Sequence, residues 1–414
     1  MAGEWRTRRL GDVIELKRGY DLASGERRDG AIPVVSSSGV SGRHDTAMTK
    51  APGVVTGRYG TIGEVFYIEE DFWPLNTTLY VRDFKGSVPR FVAFALKALD
   101  FYAYSDKGAV PGVNRNDLHE ARILWPPIPE QRAIADLLGA LDDKIALNRR
   151  IAQTLEATAR ALFRSWFVDF DPVRAKADGR ETGLDAETAA AFPDAFGEDG
   201  PPVGWEKTSL TSVARVLKGT SYKSDDLRAS PAALVTLKSF ARAGGYKADG
   251  LKAFAGPCKS SQVVAPGELI VAATDVTQAA EIVGKPVIVE ASEDFRTLVA
   301  SLDTFIVRPK SAGLEPWILR LFLEGFGFQG FAKQFTSGTT VLHLSDRAFS
   351  DFIFPMPPDA SLRPIAEKLR AHVMKALAAR EQSRTLAALR DTLLPRLISG
   401  KLHIADAEKK IEAA

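Results

Sequence analysis

The chain has 414 residues, 45% of them apolar and 26% charged, which is the balance of globular material divided into more than one domain. A net charge of +2 and a pI near 8.5 are only mildly basic, so any nucleic-acid face must be local rather than a property of the whole chain. No run approaches a membrane span, and the single cysteine, Cys258, excludes an internal disulfide and a cysteine-rich zinc site; it is expected to be a small buried or half-buried residue.

The first residues, 1–9, carry no apolar signal-like run, and a cytoplasmic location without a membrane partner is expected. Residues 1–128 read as one domain of short strands. The β-branched or aromatic runs at 31–35, 53–56, 64–68 and 78–82 are separated by Gly, Ser, Asp and Asn. A helix is predicted near 89–98, where Phe91, Phe94, Ala95 and Ala98 share a face. The run 57–63 (GRYGTIG) lacks dinucleotide-binding spacing and reads as a tight connection between two strands.

Pro129 can open a helix, because its missing N–H is one of the orphans there. From Ile134 an apolar seam follows in alternating steps of four and three: Leu138, Leu141, Ile145, Asn148, Ala152, Leu155, Ala159, Leu162 and Trp166. Asn148, its polar member, either demands a polar partner and so sets register, or is solvated at the rim. Asp171-Pro172 ends the helix. Residues 171–203, rich in Asp, Glu, Gly, Pro and Ala, read as a partly mobile linker. Residues 204–358 repeat the outline of the first domain, with strands at 233–237, 268–272 and 285–289 and a helix near 315–325. A second long helix, about 362–399 within the segment 359–414, carries a less regular stripe that includes Leu386, Leu393 and Leu397, and Gly400 stands where a cap would fall.

The chain therefore contains itself twice. Trp5 begins W-R-T-R-R-L-G and Trp205 begins W-E-K-T-S-L-T; Leu16-Lys17 and Gly19 are answered by Leu217-Lys218 and Gly219. At the far end of the unit 123–127 (ILWPP) is answered by 353–357 (IFPMP), and Ile134-Ala135, Leu155 and Leu162-Phe163 by Ile365-Ala366, Leu386 and Leu393-Leu394. Both ends are fixed while the middle varies. Two copies are too few for a solenoid, and each is long enough to hold its own core. Because each helix exposes an apolar seam, the simplest burial sets one against the other, antiparallel, about a pseudo-twofold axis. The expected fold is α+β: two tandem domains (1–128 and 204–358), each followed by a long helix (129–170 and 359–414), the helices forming an antiparallel coiled coil.

Motifs for chemistry are missing. There is no Walker A loop, no nucleophile elbow, no ligand spacing among the five histidines, and no Asn-Pro-Pro-aromatic or Asp-Pro-Pro-aromatic tetrapeptide of the amino-methyltransferases. A catalytic role is not expected.

Residues 165–176 (SWFVDFDPVRAK), 127–131 (PIPEQ), 73–81 (WPLNTTLYV) and 393–400 (LLPRLISG) resemble the specificity subunit of type I restriction-modification enzymes, and the resemblance covers nearly the whole chain. Residues 108–114 and 338–345 are similar to the stretch that closes each target-recognition domain in that family; the first copy departs from it at Ala109-Val110, and no base contact is assigned to Asn114. The resemblance implies a non-catalytic, sequence-specific DNA-binding scaffold. Each recognition domain would bind one half of a split, asymmetric site on double-stranded DNA. The helices would hold the halves apart and dock two modification (methyltransferase) subunits, with restriction subunits as further partners where a system has them. No cofactor is expected in this chain; S-adenosylmethionine would belong to the modification subunit.

Base edges are read by Arg, Lys, Asn, Gln, Ser and Thr, and phosphates by Lys, Arg and hydroxyls. On those grounds the candidates are Ser36, Ser37, Ser38, Arg43 and His44 in one Gly-rich loop, with Arg58, Tyr59 and Lys107, and in the second domain Thr236, Lys238, Lys259, Thr274, Lys333 and Thr336. Each is also readable as a solvated surface residue. The helix interface is expected at Leu138, Leu141, Ile145, Asn148, Leu155, Leu162, Trp166, Leu386, Leu393 and Leu397. A coiled-coil adaptor that binds only protein is the rival reading; it has no reason to carry two different folded heads.

Overall fold

The computed structural model describes residues 4–105, 112–242, 244–311 and 313–412. The chain is mixed helix and sheet, with two tandem domains and a long helix after each, Ile128–Phe163 and Asp359–Ile398. It divides into two compact units, Met1–Ile151 with Ala379–Ala414, and Ala152–Ala378. No helix among the described residues is long and apolar enough to cross a membrane.

In the first unit the two ends of the repeat close on each other. Strand Arg6–Arg9 pairs antiparallel with Arg122–Trp125, in the register Arg6 to Trp125 and Arg9 to Arg122. A four-stranded sheet orders Glu15–Arg18, Thr78–Asp83, Gly53–Gly57 and Val65–Ile68, and a three-stranded one orders Gly39–His44, Ile32–Ser36 and Trp73–Pro74. Helix Pro89–Lys97 lays Phe91, Val92 and Phe94 into the core beside Leu10, Ile14, Trp125 and Leu138. Gln131, buried in the PIPEQ run, accepts the Val88 N–H at 2.9 Å and donates to the Pro126 carbonyl at 2.9 Å. One amide side chain thus ties the start of the long helix to the cap of the short one.

The second unit repeats this plan with its own residues. Glu206–Ser209 pairs antiparallel with Ile353–Met356, and its sheet orders Ala214–Lys218, Thr304–Pro309, Leu269–Ala272 and Pro286–Ile288. The repeated glycines have one physical reason. A Cβ on Gly19 would lie 2.2 Å from the Leu75 carbonyl oxygen, and one on Gly219 would lie 2.1 Å from that of Ser301, because parallel bridges Tyr20–Leu75 and Thr220–Ser301 bring backbone against backbone.

Two expectations are corrected here. Residues 171–203 are not a loose linker: Asp171–Ala177 and Ala186–Ala190 are helical, and Val173 and Phe192 are fully buried in the core of the second unit. Ser165 donates to the Asp171 carboxylate at 2.7 Å, Arg174 to the Asp169 carbonyl at 2.8 Å and Lys176 to the Phe192 carbonyl at 2.6 Å. The conspicuous SWFVDFDPVRAK run is a structural knot. Cys258, in turn, is exposed rather than buried.

The helix seam also differs from a continuous heptad. Leu138, Leu141, Ile145, Asn148 and Ala152 are buried as expected, but Leu155 is only half-buried and Glu156 takes its place; Leu162 is half-buried and Phe163 replaces it, with Trp166 again inside. The steps 148–152–156 are both fours. Such an inserted four unwinds a left-handed supercoil toward an eleven-residue repeat, so the buried face moves by one position. In the first unit the pairing is antiparallel: Asn148 Nδ2 donates to Gln382 Oε1 at 2.8 Å, Arg390 donates to Asp142 at 2.6 Å, and Leu393 and Leu397 share a core with Ile134 and Leu138, with Leu386 packed against it. Asn148 therefore has the polar partner that register-setting requires.

His119 shows how the sheet is held to this frame. Its Nε2 accepts the Leu16 N–H at 2.9 Å. Burial, followed by the charges of Lys85 and Arg115, holds its pKa below the ordinary 6.5. The fold thus favours the neutral ring, and the contribution is complete above pH 6.5 and lost as pH falls through the folded-state value. Thermal unfolding of the first unit is expected at lower temperature at pH 5 than at pH 7.5, and His119→Ala should remove that difference.

Candidate nucleic-acid interface

Three segments converge at one place in each unit. In the first they are the turn of the hairpin Ile32–Ser36/Gly39–His44, the connection 57–63, and the segment around Gly112-Val113. Ser37 lies against the connection, 3.3 Å from where a Cβ would stand on Gly57 or Gly60. Val113 N–H donates to the Arg58 carbonyl at 2.9 Å, and Tyr59 bridges to Gly112, whose bare Cα admits the tyrosine ring. The Arg58 guanidinium sits 4.7 Å from the centre of the Tyr59 ring, which is 41% exposed. This is a flat cationic-aromatic platform flanked by the hydroxyls of Ser36, Ser37 and Ser38, with Ser36 Oγ and Ser38 Oγ 3.1 Å apart.

The hairpin corrects part of the expected loop. Residues 39–44 are a strand, and His44 is only 3% exposed: its Nδ1 accepts the Arg28 N–H at 3.0 Å and its ring meets the edge of Trp73 at 5.2 Å. His44 holds the hairpin and does not face solvent. Arg43 is exposed at its edge and donates to the Ala31 carbonyl. Lys107, with 108–111 of the closing stretch, lies outside the described residues.

In the second unit the equivalent segments line a cleft of about 650 Å³. Thr236 and Lys238 follow the strand Ala232–Val235, Thr274 begins the strand Thr274–Asp275, and Val341 precedes the closing strand Leu342–Leu344; all four line the cleft, joined by Arg242, Lys247 and Lys252. Thr274 pairs with His343 as Arg58 meets Val113 in the first unit. Gly338, at φ +114°, makes the turn of the closing hairpin, where a Cβ would lie 2.1 Å from the Val341 carbonyl oxygen.

Thr236 and Thr274 are cleft residues but nearly buried, which the sequence does not reveal. Thr236 Oγ1 donates to the Gly250 carbonyl at 3.2 Å and Thr274 Oγ1 to Asp303 at 3.1 Å, so they shape the wall. Lys259 and Thr336 do not line the cleft, and Lys333 lines a separate recess with Arg242 and Glu281. Sequence reasoning missed Arg242, Lys247 and Lys252. Nothing in their spacing marks them: Arg242 and Lys247 stand in the connection after Leu237–Ser239, and Lys252 opens the two-residue strand Lys252–Ala253 that pairs with Ala232–Val235.

The buried Asp275 organises the adjoining loop. Its carboxylate accepts from Thr277 N–H at 2.9 Å and Thr277 Oγ1 at 2.8 Å on one oxygen, and from Ile282 N–H at 2.6 Å and Val283 N–H at 3.2 Å on the other. Burial raises its pKa, but these hydrogen bonds outweigh it and leave the carboxyl below its usual range. Lys285 donates to the Arg242 carbonyl at 2.6 Å, and burial pushes its pKa down.

Known proteins resemble the chain in sequence and in fold. Residues 2–157 match the family model for the type I restriction modification DNA specificity domain. The chain is 25% identical over 350 residues to the HindI specificity subunit of Haemophilus influenzae, covering 72% of this chain and 73% of that protein. It is 27% identical over 158 residues to the MjaIX specificity subunit of Methanocaldococcus jannaschii, covering 36% of this chain and 33% of that one. The fold matches a crystal structure of a type I restriction-modification S subunit from M. genitalium with a TM-score of 0.58 at 14% identity, over 95% of this chain and 96% of the other. The first repeat thus matches the DNA specificity domain, and the chain as a whole is similar in sequence to specificity subunits of type I restriction enzymes and shares the fold of a solved S subunit.

Proposed function

We propose that the chain reads a bipartite site on double-stranded DNA, one half through each recognition domain, while its long helices set the spacing and dock two modification subunits. The observation that carries this reading is the convergence of equivalent segments in both units: 36–38, 58–59 and 112–113 in one, 236–238, 274–275 and 341–343 in the other. The same backbone positions carry different side chains, so one geometry presents two different sets of donors. Ser, Arg and Tyr stand in the first, and Thr and Lys in the second. Ser36, Ser37, Ser38, Arg43, Arg58 and Tyr59 would face one half-site; Lys238, Arg242, Lys247 and Lys252 would face the other. S-adenosylmethionine and the methyl-transfer chemistry belong in this reading to the modification subunits, in a cytoplasmic complex that restriction subunits can join.

Selection from random duplexes with the chain and its modification subunits tests the proposal. A split consensus is expected. Arg58→Ala and Lys238→Ala should then act on opposite halves. A phosphate contact would weaken all sequences alike and lower the salt slope by about one, while a base contact would erase roughly 1–3 kcal/mol of discrimination at one position. Retention of no sequence, or both variants acting on the same half, would refute the reading.

A further inference from the structure

Val276 stands out at the rim of the second unit's cleft because it is 65% exposed although it is a large apolar side chain on a rigid loop. Single exposed apolar residues need no explanation in themselves. Here the backbone is heavily constrained. Asp275 takes hydrogen bonds from both ends of the loop at Thr277, Ile282 and Val283. Gln278 donates to the Thr339 carbonyl, Gln329 to the Glu281 carbonyl at 2.9 Å and Lys333 to the Ala279 carbonyl at 3.4 Å. Ala280 is buried in the left-handed conformation at φ +50°. With so many ties to the frame, the loop cannot fold Val276 away from water.

What surrounds it is cationic. Lys238, Arg242, Lys247 and Lys252 line the same cleft; Asp249 is engaged by Lys247 and Glu281 by Arg242, and Asp303 accepts from Thr274. An apolar group fixed among cations suits a partner that offers phosphates and, between them, a small apolar knob. In the DNA major groove that knob is the 5-methyl group of thymine.

We propose that Val276 recognises the 5-methyl group of a pyrimidine in the half-site bound by the second unit. This rests on the DNA-reading function proposed above, and the test separates the two. The full chain, assembled with its modification subunits, is first given a consensus by selection, and the second half-site is assigned with Lys238→Ala. Each thymine of that half is then replaced singly by deoxyuridine, which deletes the methyl and leaves the hydrogen-bonding edge intact. One replacement is expected to weaken binding about four-fold, the value of ~0.8 kcal/mol for one buried methyl. Val276→Ala should bind the thymine and uracil duplexes equally, and Val276→Thr, which keeps a γ-methyl, should retain part of the preference. Because the side chain is exposed, neither variant should disturb folding. A second half-site without thymine, indifference to every uracil, or the same uracil sensitivity in Val276→Ala would overturn the inference while leaving the DNA reading intact. Failure to select any sequence would overturn both.

Discussion

Leu138→Asp is expected to unfold the first unit or to abolish its assembly with partner subunits, whereas Leu155→Asp, on the same helix, is tolerated. Leu138 is 0% exposed and packs within the core that joins Phe91, Trp125 and Ile134 to Leu393 and Leu397. The substitution forfeits roughly 2 kcal/mol of apolar burial and adds the larger cost of an unpaired buried carboxylate. Several kcal/mol is a large part of the ~5–15 kcal/mol that stabilises a domain. Leu155 lies half-buried beside a seam that has moved to Glu156, so its loss costs about 1 kcal/mol or less. Thermal unfolding and co-purification with modification subunits read both variants. Equal damage from the two would restore the continuous heptad and refute the shifted seam.

Exchange of residues 5–128 for another recognition domain is expected to replace one half of the target completely and leave the other half unchanged. The structure says why the cut belongs there: Arg6–Arg9 and Arg122–Trp125 pair with each other, so the exchanged piece carries both strands of its own closure. Its remaining seams include the Gln131 ties to Val88 and Pro126, the donation of the Trp5 indole to Glu130, the Arg90 and Lys97 ion pairs with Asp143 and Asp142, and the core that Trp125 shares with Ile134 and Leu138. A donor that keeps those residues should dock without rearrangement. Contact sets on separate units should act nearly independently. Selection from random duplexes measures the result, and a change in both halves would show that the units are not autonomous readers.

The sequence by itself determined the duplication, the class of the fold, the two long helices and the family resemblance. These follow from local signals. Trp5 and Trp205 open matching frames, alternating β-branched runs mark the sheets, and steps of three and four mark the helices. Pairing of strand Arg6–Arg9 with Arg122–Trp125 explains why both ends of the repeat stay fixed, but that pairing joins residues more than a hundred positions apart and becomes visible only in the folded chain. The tertiary structure alone decided the rest. It moved the seam from Leu155 to Glu156, because burial depends on what a partner helix presents and not on the helix's own period. It drew 171–203 into a core, because Val173 and Phe192 find apolar neighbours that composition does not reveal. It also turned His44, Thr236 and Thr274 inward and brought Lys247, Lys252 and Val276 to the cleft. Residue type tells which groups can touch DNA; which of them face outward is set by backbone pairing across distant segments, and no local pattern encodes that.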